Sequence, residues 1–432
     1  MNDAWKCVLL SETMVTVDGR PTGPAPAEWW RGGLDALLPR LAPRLAPRAV
    51  VLVTGRGAEL LKLRAPDWST FHGQGQPTVH LGQIHKMDRS VDRDGHPTKS
   101  PLLAGNSAVN TTGAFALWHE LTGTPYRGTP GMAGMAVMGH YGRPAKPVWK
   151  SSATPAGAVE MPYYPEDFTG QRPTGRWVHG FDKIRAYVAA AMLTEVASEE
   201  LTHTGKGTPW TPRTAGWWLV ELSPWNEPRM PHPAGYVDGP ARQIVRPLTA
   251  PTMALLHQLT ERGIYGGVRV LDSWTAPAKD GVLRPWATTM RDAYARAAAV
   301  DTPAGHMVTR AIKMAGRETL GLLNHETNWA YRPDWWFSVV AMSRANGWRS
   351  AYEIGETTDR WPLKFDTDMM YFDSDERDPV KAAPVWAGAG GRVRGIQLDP
   401  AGIRLGYYRA KKRLENRADR VRKPRTNAPA NV

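Results

Sequence analysis

The chain has 432 residues, of which 42% are hydrophobic and 22% are charged, a composition typical of a globular protein with two or three domains. The single cysteine, Cys7, excludes a disulfide framework and a multi-cysteine zinc site, and no apolar run is long enough to cross a membrane, so we expect a reducing, cytoplasmic setting without a membrane partner. The net charge of +13 and the pI near 9.8 favour an anionic partner such as nucleic acid.

The N-terminal part of the chain offers few chemical signals. A buried strand is predicted at 49–55, AVVLVTG, followed by a polar, irregular stretch from about 66 to 110. The glycine-rich stretch at 128–144 lacks the GxxxxGK[ST] pattern of a phosphate loop and is predicted to be a turn that opens a helix. The proline-rich stretch at 144–175 is predicted to be a domain boundary. Four histidines of the polar stretch form no metal-binding motif and are interpreted as scattered loop residues: His72, His80, His85 and His96.

The second half of the chain is more regular. Its predicted strands are 176–182 and 216–223, and its predicted helices are 183–200, 287–300, 304–323 and 334–355. The last basic segment, 404–425, contains ten Lys and Arg residues against two acids and predicts a basic tail or helix. Such a segment is either a solvated face or a contact with nucleic acid.

Two aspartates, Asp366 and Asp368, lie one residue apart in the strand-like stretch KFDTDMMYF at 364–372. In an extended strand, residues i and i+2 share a face, so the two carboxylates would repel each other. The pair is therefore either a solvated hairpin tip or a site that holds a cation. A third acid at a suitable place favours the second alternative.

Asp182 supplies a third acid at the end of the strand-like run RWVHGFD, and Lys313 lies in the helix-like run RAIKMAGRETLG. Separated acids and a lysine are what two-metal phosphoryl or nucleotidyl transfer requires. Carboxylates hold two divalent cations about 3.5–4 Å apart, and a cationic side chain contacts the triphosphate. The expected cofactor is Mg²⁺ or Mn²⁺, because hard cations prefer carboxylate and phosphate oxygens.

These residues resemble the motifs of family B DNA polymerases, in particular of the compact, protein-primed branch. The family's motif A, D-x-x-S-L-Y-P, matches DKIRAYV at Asp182 and Tyr187. Motif B, K-x-x-x-N-S-x-Y-G, matches KMAGRETLG at Lys313 and Gly321. Motif C, Y-x-D-T-D-S, matches KFDTDM, which keeps the Asp-Thr-Asp of 366–368.

The resemblance implies a role for each matched residue. Asp182 and Asp368 would be the principal catalytic metal ligands, with Asp366 assisting. Tyr187 would stack under the incoming sugar and exclude a 2′-hydroxyl. The nucleotide-binding set is completed by Lys313 on the triphosphate, Gly321, and Arg310, which helical geometry places one turn before Lys313. In the basic segment, the residues expected to bind DNA are Arg409, Lys411, Lys412 and Arg413.

The chain also departs from the family pattern. Arg317 and Glu318 replace the Asn-Ser of motif B, and Leu320 replaces its Tyr, so base-pair checking by those side chains is not implied here. No D-x-E pair, the first motif of the family's 3′–5′ exonuclease, occurs in residues 1–175. We therefore expect an exonuclease-like N-terminal domain without proofreading.

The implied fold class is α/β, with a palm of antiparallel strands and helices, short helical fingers, a small thumb and a degenerate exonuclease-like N-terminal domain. The expected ranges are 1–150 for the N-terminal domain, 151–175 for a linker, 176–284 and 326–375 for the palm, 285–325 for the fingers, and 376–432 for the thumb and basic tail.

The implied function is template-directed DNA synthesis, which makes the chain a DNA-directed DNA polymerase. Its expected partners are primer-template DNA, dNTPs and a priming or terminal protein. The expected setting is the bacterial cytoplasm and nucleoid, where the protein would replicate linear ends of a plasmid, phage or chromosome. Two alternatives stay open: a polymerase-derived telomere or DNA-end-binding protein without synthesis, and an RNase H-like nuclease or transposase, which also gathers separated acids around two metals.

Overall fold

The structure, a computed structural model, describes residues 6–10, 15–17, 20–23, 48–54, 69–71, 78–84, 108–126, 129–141, 173–235 and 244–415, with side chains at 113–126, 129–141, 173–235 and 244–411. The chain divides into two compact units. The first comprises Met1–Lys150, Ala191–Glu200 and Asp280–Trp336, and the second comprises Ser151–Ala190, Leu201–Lys279 and Phe337–Val432. The predicted finger residues, 285–325, therefore belong to the first unit.

The described elements are numbered in chain order. The helices are α1 (Ala108–Thr122), α2 (Pro130–His140), α3 (Ala186–Leu193), α4 (Ala250–Glu261), α5 (Arg284–Ala298), α6 (Pro303–Leu322), α7 (Pro333–Thr358) and α8 (Pro379–Ala382). The first six strands are β1 (Lys6–Leu10), β2 (Val15–Val17), β3 (Arg20–Gly23), β4 (Arg48–Thr54), β5 (Ser69–Phe71) and β6 (Thr78–Ile84). The others are β7 (Trp177–Lys183), β8 (Val196–Ala197), β9 (Thr202–His203), β10 (Ala215–Leu222), β11 (Ile244–Thr249), β12 (Val268–Ala276), β13 (Lys279–Asp280), β14 (Lys364–Asp366), β15 (Met369–Ser374), β16 (Val385–Ala387), β17 (Val393–Gly395) and β18 (Tyr408–Glu415).

The first unit contains a six-stranded mixed sheet with the order β3-β2-β1-β4-β6-β5. Strands β1, β4 and β6 run parallel, and the other pairs are antiparallel. Strand β4 confirms the strand predicted from AVVLVTG. Strands β5 and β6 lie in the stretch predicted to be irregular, and His80 is therefore a strand residue. His72, His85 and His96 lie outside the described residues, as do residues 144–172 of the boundary predicted at 144–175.

Most of the predicted regular elements of the second half are confirmed, namely β7, β10, α5, α6 and α7. The helix predicted at 183–200 is wrong before Ala186 and beyond Leu193. Side chains distant in sequence bond the backbone that follows it. Arg332 Nη2 donates to the carbonyl oxygens of Ala197 and Glu199, at 2.7 and 3.2 Å. Trp335 Nε1 donates to the Ala197 carbonyl oxygen as well, at 2.8 Å. These bonds hold the segment extended, and Val196–Ala197 form β8.

Helix α2 packs closely against α6 in the first unit. It begins as the glycine-rich sequence predicts, with the Thr129 side chain accepting from Met132 N and Pro130 in the first turn. The Glu318 carboxylate accepts from Gly131 N at 3.1 Å, and Thr319 Oγ1 donates to the Gly131 carbonyl oxygen at 3.2 Å. Glu318, which departs from motif B, therefore stabilises the positive end of α2.

We expect Gly134→Ala to lower the free energy of unfolding by about 1–3 kcal/mol, because a Cβ at this position would overlap Thr319 Oγ1. Gly139→Ala in the same helix is the matched control, since its nearest contact would be an ordinary 3.5 Å to the Trp329 ring. It should leave stability unchanged or raise it by up to about 1 kcal/mol. Urea denaturation of both variants tests this, and equal effects would contradict the close α2–α6 packing.

The second unit contains two four-stranded antiparallel sheets, with the orders β11-β10-β12-β9 and β14-β15-β7-β18. Because side chains alternate along a strand, the second sheet presents two different faces, and its strands β7 and β15 are largely buried on both. One face of the β14-β15-β7-β18 sheet packs with α4, α7 and the β11-β10-β12-β9 sheet in a common core. This core includes Phe181, Phe365, Met370, Phe372, Tyr408, Leu255, Trp348 and Trp218. None of the helices in the described part of the chain is long and apolar enough to cross a membrane.

Candidate active site

Asp366 and Asp368 lie in a tight hairpin. Strand β14 ends at Asp366 and β15 begins at Met369, and these two residues pair directly, so Thr367 and Asp368 form a two-residue turn. Thr367 has φ = +62°, a left-handed conformation that β-branched residues rarely adopt but that such hairpin turns require. The pair thus lies at the tip of a hairpin, but the tip is partly buried and not fully solvated. A cation site at this tip stays a prediction.

One row of paired residues crosses the β14-β15-β7-β18 sheet. Asp366 pairs with Met369, Met369 with Asp182, and Asp182 with Arg409. Residues that pair directly share a face, so the two aspartates and Arg409 project from the face opposite the core. With neighbouring strands about 4.8 Å apart, the backbones of Asp182 and Asp366 lie about 10 Å apart. Asp368 joins the row at its end, where its carbonyl oxygen accepts from Lys183 N at 3.3 Å.

A small apolar cluster lies beside this row, formed by Val178, Leu363, Met369 and Tyr371. Gly180 makes room for it, because a Cβ there would lie 2.9 Å from Met369 Sδ and 3.0 Å from Tyr371 Cε1. Burial, followed by the negative charges of Asp366 and Asp182, raises the pKa of Tyr371 to about 12. The phenol therefore stays protonated and donates a hydrogen bond to Asp366.

Asp182 is bound by two cations of β18. Its Oδ2 atom lies 3.1 Å from Arg409 Nη2 and 3.0 Å from Lys411 Nζ. A bulge between Ala410 and Lys412 makes Lys411 the extra, unpaired residue of the strand. Asp182 is only 6% exposed, so these bonds compensate a buried carboxylate. The protein itself thus provides cationic partners for Asp182.

The carboxylates and cations act on one another electrostatically. The pKa of the Asp368 carboxyl is raised to about 6, chiefly because burial disfavours its charge and then because Asp182 repels it. Asp366 adds to this repulsion, and Lys411 opposes it. Burial lowers the pKa of the Lys183 ammonium, and the charge of Asp368 partly offsets that effect. Burial and repulsion by the neighbouring carboxylates therefore disfavour the charged form of Asp368, and a bound cation would relieve this repulsion.

We expect Asp368→Asn to stabilise the metal-free protein at neutral pH. A carboxyl whose pKa is raised from 3.8 to about 6 favours the folded state below pH 4, and this contribution is lost as the pH rises through 6. The wild type should therefore lose on the order of 2–3 kcal/mol relative to the variant between pH 4 and 7.5. Denaturation in chelator across that range tests this. Asp301→Asn, at a fully exposed side chain, is the control and should track the wild type.

The other predicted nucleotide-binding residues are found on two helices. Tyr187 lies partly exposed in the first turn of α3, in the second unit. Lys313 is exposed and Arg310 half-buried on α6, in the first unit, where Arg317 is also exposed. A Cβ at Gly321 would meet no atom within 4 Å, so packing within the protein does not require this glycine. The three aspartates with Arg409 and Lys411 are thus one cluster, and Lys313, Arg310 and Gly321 belong to the other unit.

The basic tail or helix predicted at 404–425 is wrong for Tyr408–Glu415, which form strand β18. This segment adopts an extended structure because β7 offers a sheet edge whose backbone groups it satisfies. The backbones of Lys412 and Arg413 pair with Gly180 and His179. The side chains of Lys412 and Arg413 and the residues beyond Glu415 lie outside the described part of the chain.

No family model matches this chain, and no curated protein matches it by sequence. Among solved structures, Phi29 DNA polymerase complexed with primer-template DNA and incoming nucleotide substrates matches 95% of this chain and 85% of its own, with a TM-score of 0.50 and 10% identity. The chain has a polymerase-like fold. The binary complex of Phi29 DNA polymerase with primer-template DNA matches 95% of this chain and 84% of its own, with a TM-score of 0.47 and 12% identity.

The fit of the cluster to a divalent cation rests on its donor chemistry. Three carboxylates provide the hard oxygen donors that Mg²⁺ and Mn²⁺ prefer, and their mutual repulsion favours cation uptake. Within the described ranges, no group of three or more His, Cys, Asp or Glu side chains is already arranged to hold a metal ion. Asp182 uses Oδ2 for Arg409 and Lys411, so a divalent cation at that atom requires at least one of these side chains to move.

Two basic residues behind the hairpin were missed by sequence reasoning. Lys183 and the buried Arg344 line a small pocket together with Asp368 and Tyr408. Arg344 Nη2 donates to Thr252 Oγ1 at 2.6 Å. Lys183 had a usable signal, because a lysine directly after a strand-terminal aspartate alternates to the opposite face of the sheet. Arg344 had none, since it lies in a helix that the sequence identifies only by its periodicity.

Proposed function

We propose that this chain is a template-directed DNA polymerase. The observation that carries the proposal is the juxtaposition of Asp182, Asp366 and Asp368 at one end of an antiparallel sheet in a chain with a polymerase-like fold. In such a reaction the primer 3′-hydroxyl attacks the α-phosphorus of a dNTP, the bond to the β-phosphate breaks, and pyrophosphate leaves. The hydroxyl proton passes to solvent.

Within this proposal, Asp182 and Asp368 hold Mg²⁺ or Mn²⁺ and Asp366 assists. A bound divalent ion supplies Lewis-acid stabilisation of the charge that develops on the phosphoryl oxygens. Tyr371 orients Asp366 through a hydrogen bond, and Lys183 moderates the repulsion around Asp368. The proposed triphosphate contacts are Lys313 and Arg310, on the polar face of α6 with Gly321.

The proposal also covers the domain ranges, the DNA contacts and the biological setting. The palm would comprise 176–284 and 326–375, the fingers 285–325, and the thumb and basic tail 376–432. The N-terminal domain at 1–150 would lack 3′–5′ exonuclease chemistry, because no D-x-E pair occurs before residue 175. DNA would be contacted by Arg409, Lys411, Lys412 and Arg413. A role at linear DNA ends with a priming or terminal protein, in the bacterial nucleoid, rests on the family resemblance alone.

A DNA-end-binding protein without synthesis is the second candidate. The observation that favours it is the pair of bonds from Arg409 and Lys411 to Asp182, because they give the buried acid a partner without any metal. The RNase H-like nuclease is favoured less, since the fold similarity is to a DNA polymerase.

Primer extension separates these candidates. The purified chain is incubated with Mg²⁺ or Mn²⁺, each dNTP, and primed, unprimed or end-containing templates. Template-directed extension supports the polymerase. No extension with any primer, combined with tight binding of DNA ends, contradicts the polymerase and supports the binding protein. Metal-dependent shortening of a 3′-labelled strand that requires Asp182 would support the nuclease.

Tyr187→Ala is expected to relax sugar discrimination, because the ring would no longer exclude a 2′-hydroxyl. The ratio of dNTP to rNTP incorporation should fall by about tenfold or more, in line with loss of 1–2 kcal/mol of steric selection. Tyr187→Phe keeps the ring and is the matched control. An unchanged ratio in a folded Ala variant would make Tyr187 an ordinary packing residue of α3.

A further inference from the structure

We propose that Arg409 and Lys411 control metal access to Asp182, so that DNA and divalent metal bind this chain cooperatively. The two side chains hold the Asp182 carboxylate in the free protein and release it when the phosphate backbone of DNA binds them. This inference rests on the proposed function and adds an order of assembly: the metal site at Asp182 becomes available mainly after DNA has bound.

The first step is competition for one atom. Arg409 Nη2 and Lys411 Nζ both bond Asp182 Oδ2, at 3.1 and 3.0 Å. Arg409 donates a hydrogen bond to this oxygen and Lys411 forms an ion pair with it, so two cationic groups already lie against it. Two positive charges at this distance also repel a third cation. A divalent ion therefore binds Oδ2 only when at least one of the two side chains has left.

The second step is that both side chains can leave without breaking the sheet. Lys411 is the bulge residue of β18 and half-exposed, so its flexible stem can turn to solvent. The Arg409 side chain is about one-third exposed, and its stem lies over Gly402, where a Cβ would be 3.0 Å from Arg409 Cδ. Only rotamer changes are needed, and the β18–β7 pairing stays intact.

The third step is the attraction of Arg409 and Lys411 to the phosphate backbone of DNA. Arginine binds a phosphate through two parallel N–H groups, and the DNA backbone offers one negative charge per nucleotide. In the free protein, Arg409 Nε is buried and has no hydrogen-bond partner among the described residues. A guanidinium that turns from Asp182 to a phosphodiester can use this donor as well. A phosphate can therefore accept two parallel hydrogen bonds from Arg409, whereas the single Asp182 oxygen accepts only one, from Nη2.

The fourth step is the effect on Asp182 and Asp368 when Arg409 and Lys411 bind DNA instead. Once the cations have moved, Asp182 is a buried carboxylate without compensation, beside an Asp368 that it already repels. Uptake of a divalent ion relieves this, so DNA strengthens metal binding. By linkage, metal must strengthen DNA binding by the same factor. The free protein would then carry little metal at Asp182.

Calorimetric titration of the full chain with Mn²⁺ tests this, without dNTP and with or without a primer-template whose 3′ end is dideoxy. We expect the duplex to raise the Mn²⁺ affinity of the wild type by about tenfold, an ordinary coupling between sites. In Arg409→Gln/Lys411→Gln, the affinity without DNA should already be raised by a similar factor, and DNA should add nothing. A titration of the duplex alone corrects for Mn²⁺ bound by its phosphates.

The matched control is Arg392→Gln/Arg404→Gln, which removes the same charge from exposed side chains that do not contact Asp182. It should behave as the wild type. If the Arg409/Lys411 variant does not fold, Lys411→Gln alone should still raise Mn²⁺ affinity without DNA.

Equal Mn²⁺ affinity of the wild type with and without DNA would overturn the proposed coupling, and so would equal affinity of the wild type and the Arg409/Lys411 variant. Template-directed extension without such coupling would contradict this inference but not the proposed polymerase function. Absence of Mn²⁺ binding in every state would contradict both the coupling and the proposed metal-dependent synthesis.

Discussion

Asp368→Asn should abolish nucleotide transfer and leave DNA affinity nearly unchanged. An amide cannot supply the anionic oxygen that the proposed metal site needs, and loss of several kcal/mol of transition-state stabilisation corresponds to about a thousandfold or more in rate. The cations proposed to contact DNA are untouched by the change. Single-turnover primer extension measures the first effect, and fluorescence anisotropy with a labelled primer-template measures the second.

The control for this prediction is Asp301→Asn, which removes a carboxylate from a fully exposed position in the other unit. It should extend primers at the wild-type rate. If Asp368→Asn also extends at that rate, the Asp366–Asp368 hairpin is a structural turn, and another residue must be sought for the chemistry.

Lys313→Ala should raise the KM for dNTP by about 10- to 100-fold, because a hydrogen bond to a charged group contributes about 1.5–3 kcal/mol. Lys313 is exposed and is not among the buried residues of α6. Steady-state single-nucleotide incorporation measures the effect.

Arg317→Ala is the matched control, since it removes the same charge from the same exposed face, one turn further along α6. Its effect on KM should be clearly smaller. Equal effects of the two variants would indicate general attraction of anions by this face and would contradict a specific triphosphate contact at Lys313.

The sequence predicts the local parts of the site well. The strand ending near Asp182 and the acid pair at 366–368 follow from alternation and turn chemistry, which depend on neighbours in the chain. The partners of Asp182 do not, because Arg409 follows it by 227 residues and reaches it through the pairing of β18 with β7. In the sequence, the segment 404–425 is distinguished only by its many Lys and Arg residues. The free edge of β7 makes part of it a strand.

The same limit explains the errors in helix prediction and motif comparison. The helix predicted at 183–200 is shorter than expected, and Arg332, distant in sequence, bonds the Ala197 and Glu199 carbonyl oxygens of the segment that follows it. Glu318 departs from motif B, yet it bonds the N-terminus of α2, a partner 187 residues away. Such tertiary contacts override local propensity, and a single sequence carries no signal for them.

The central claim is that Asp182 and Asp368 form a divalent metal centre for nucleotide transfer. Anomalous diffraction from a crystal of the chain with primer-template DNA, a non-hydrolysable dNTP analogue and Mn²⁺ tests it most directly. We expect an anomalous peak in contact with both carboxylates, with Arg409 and Lys411 turned to the DNA backbone. Ordered DNA and nucleotide with no peak at Asp182 and Asp368, and with Asp182 still held by Arg409 and Lys411, would contradict the claim.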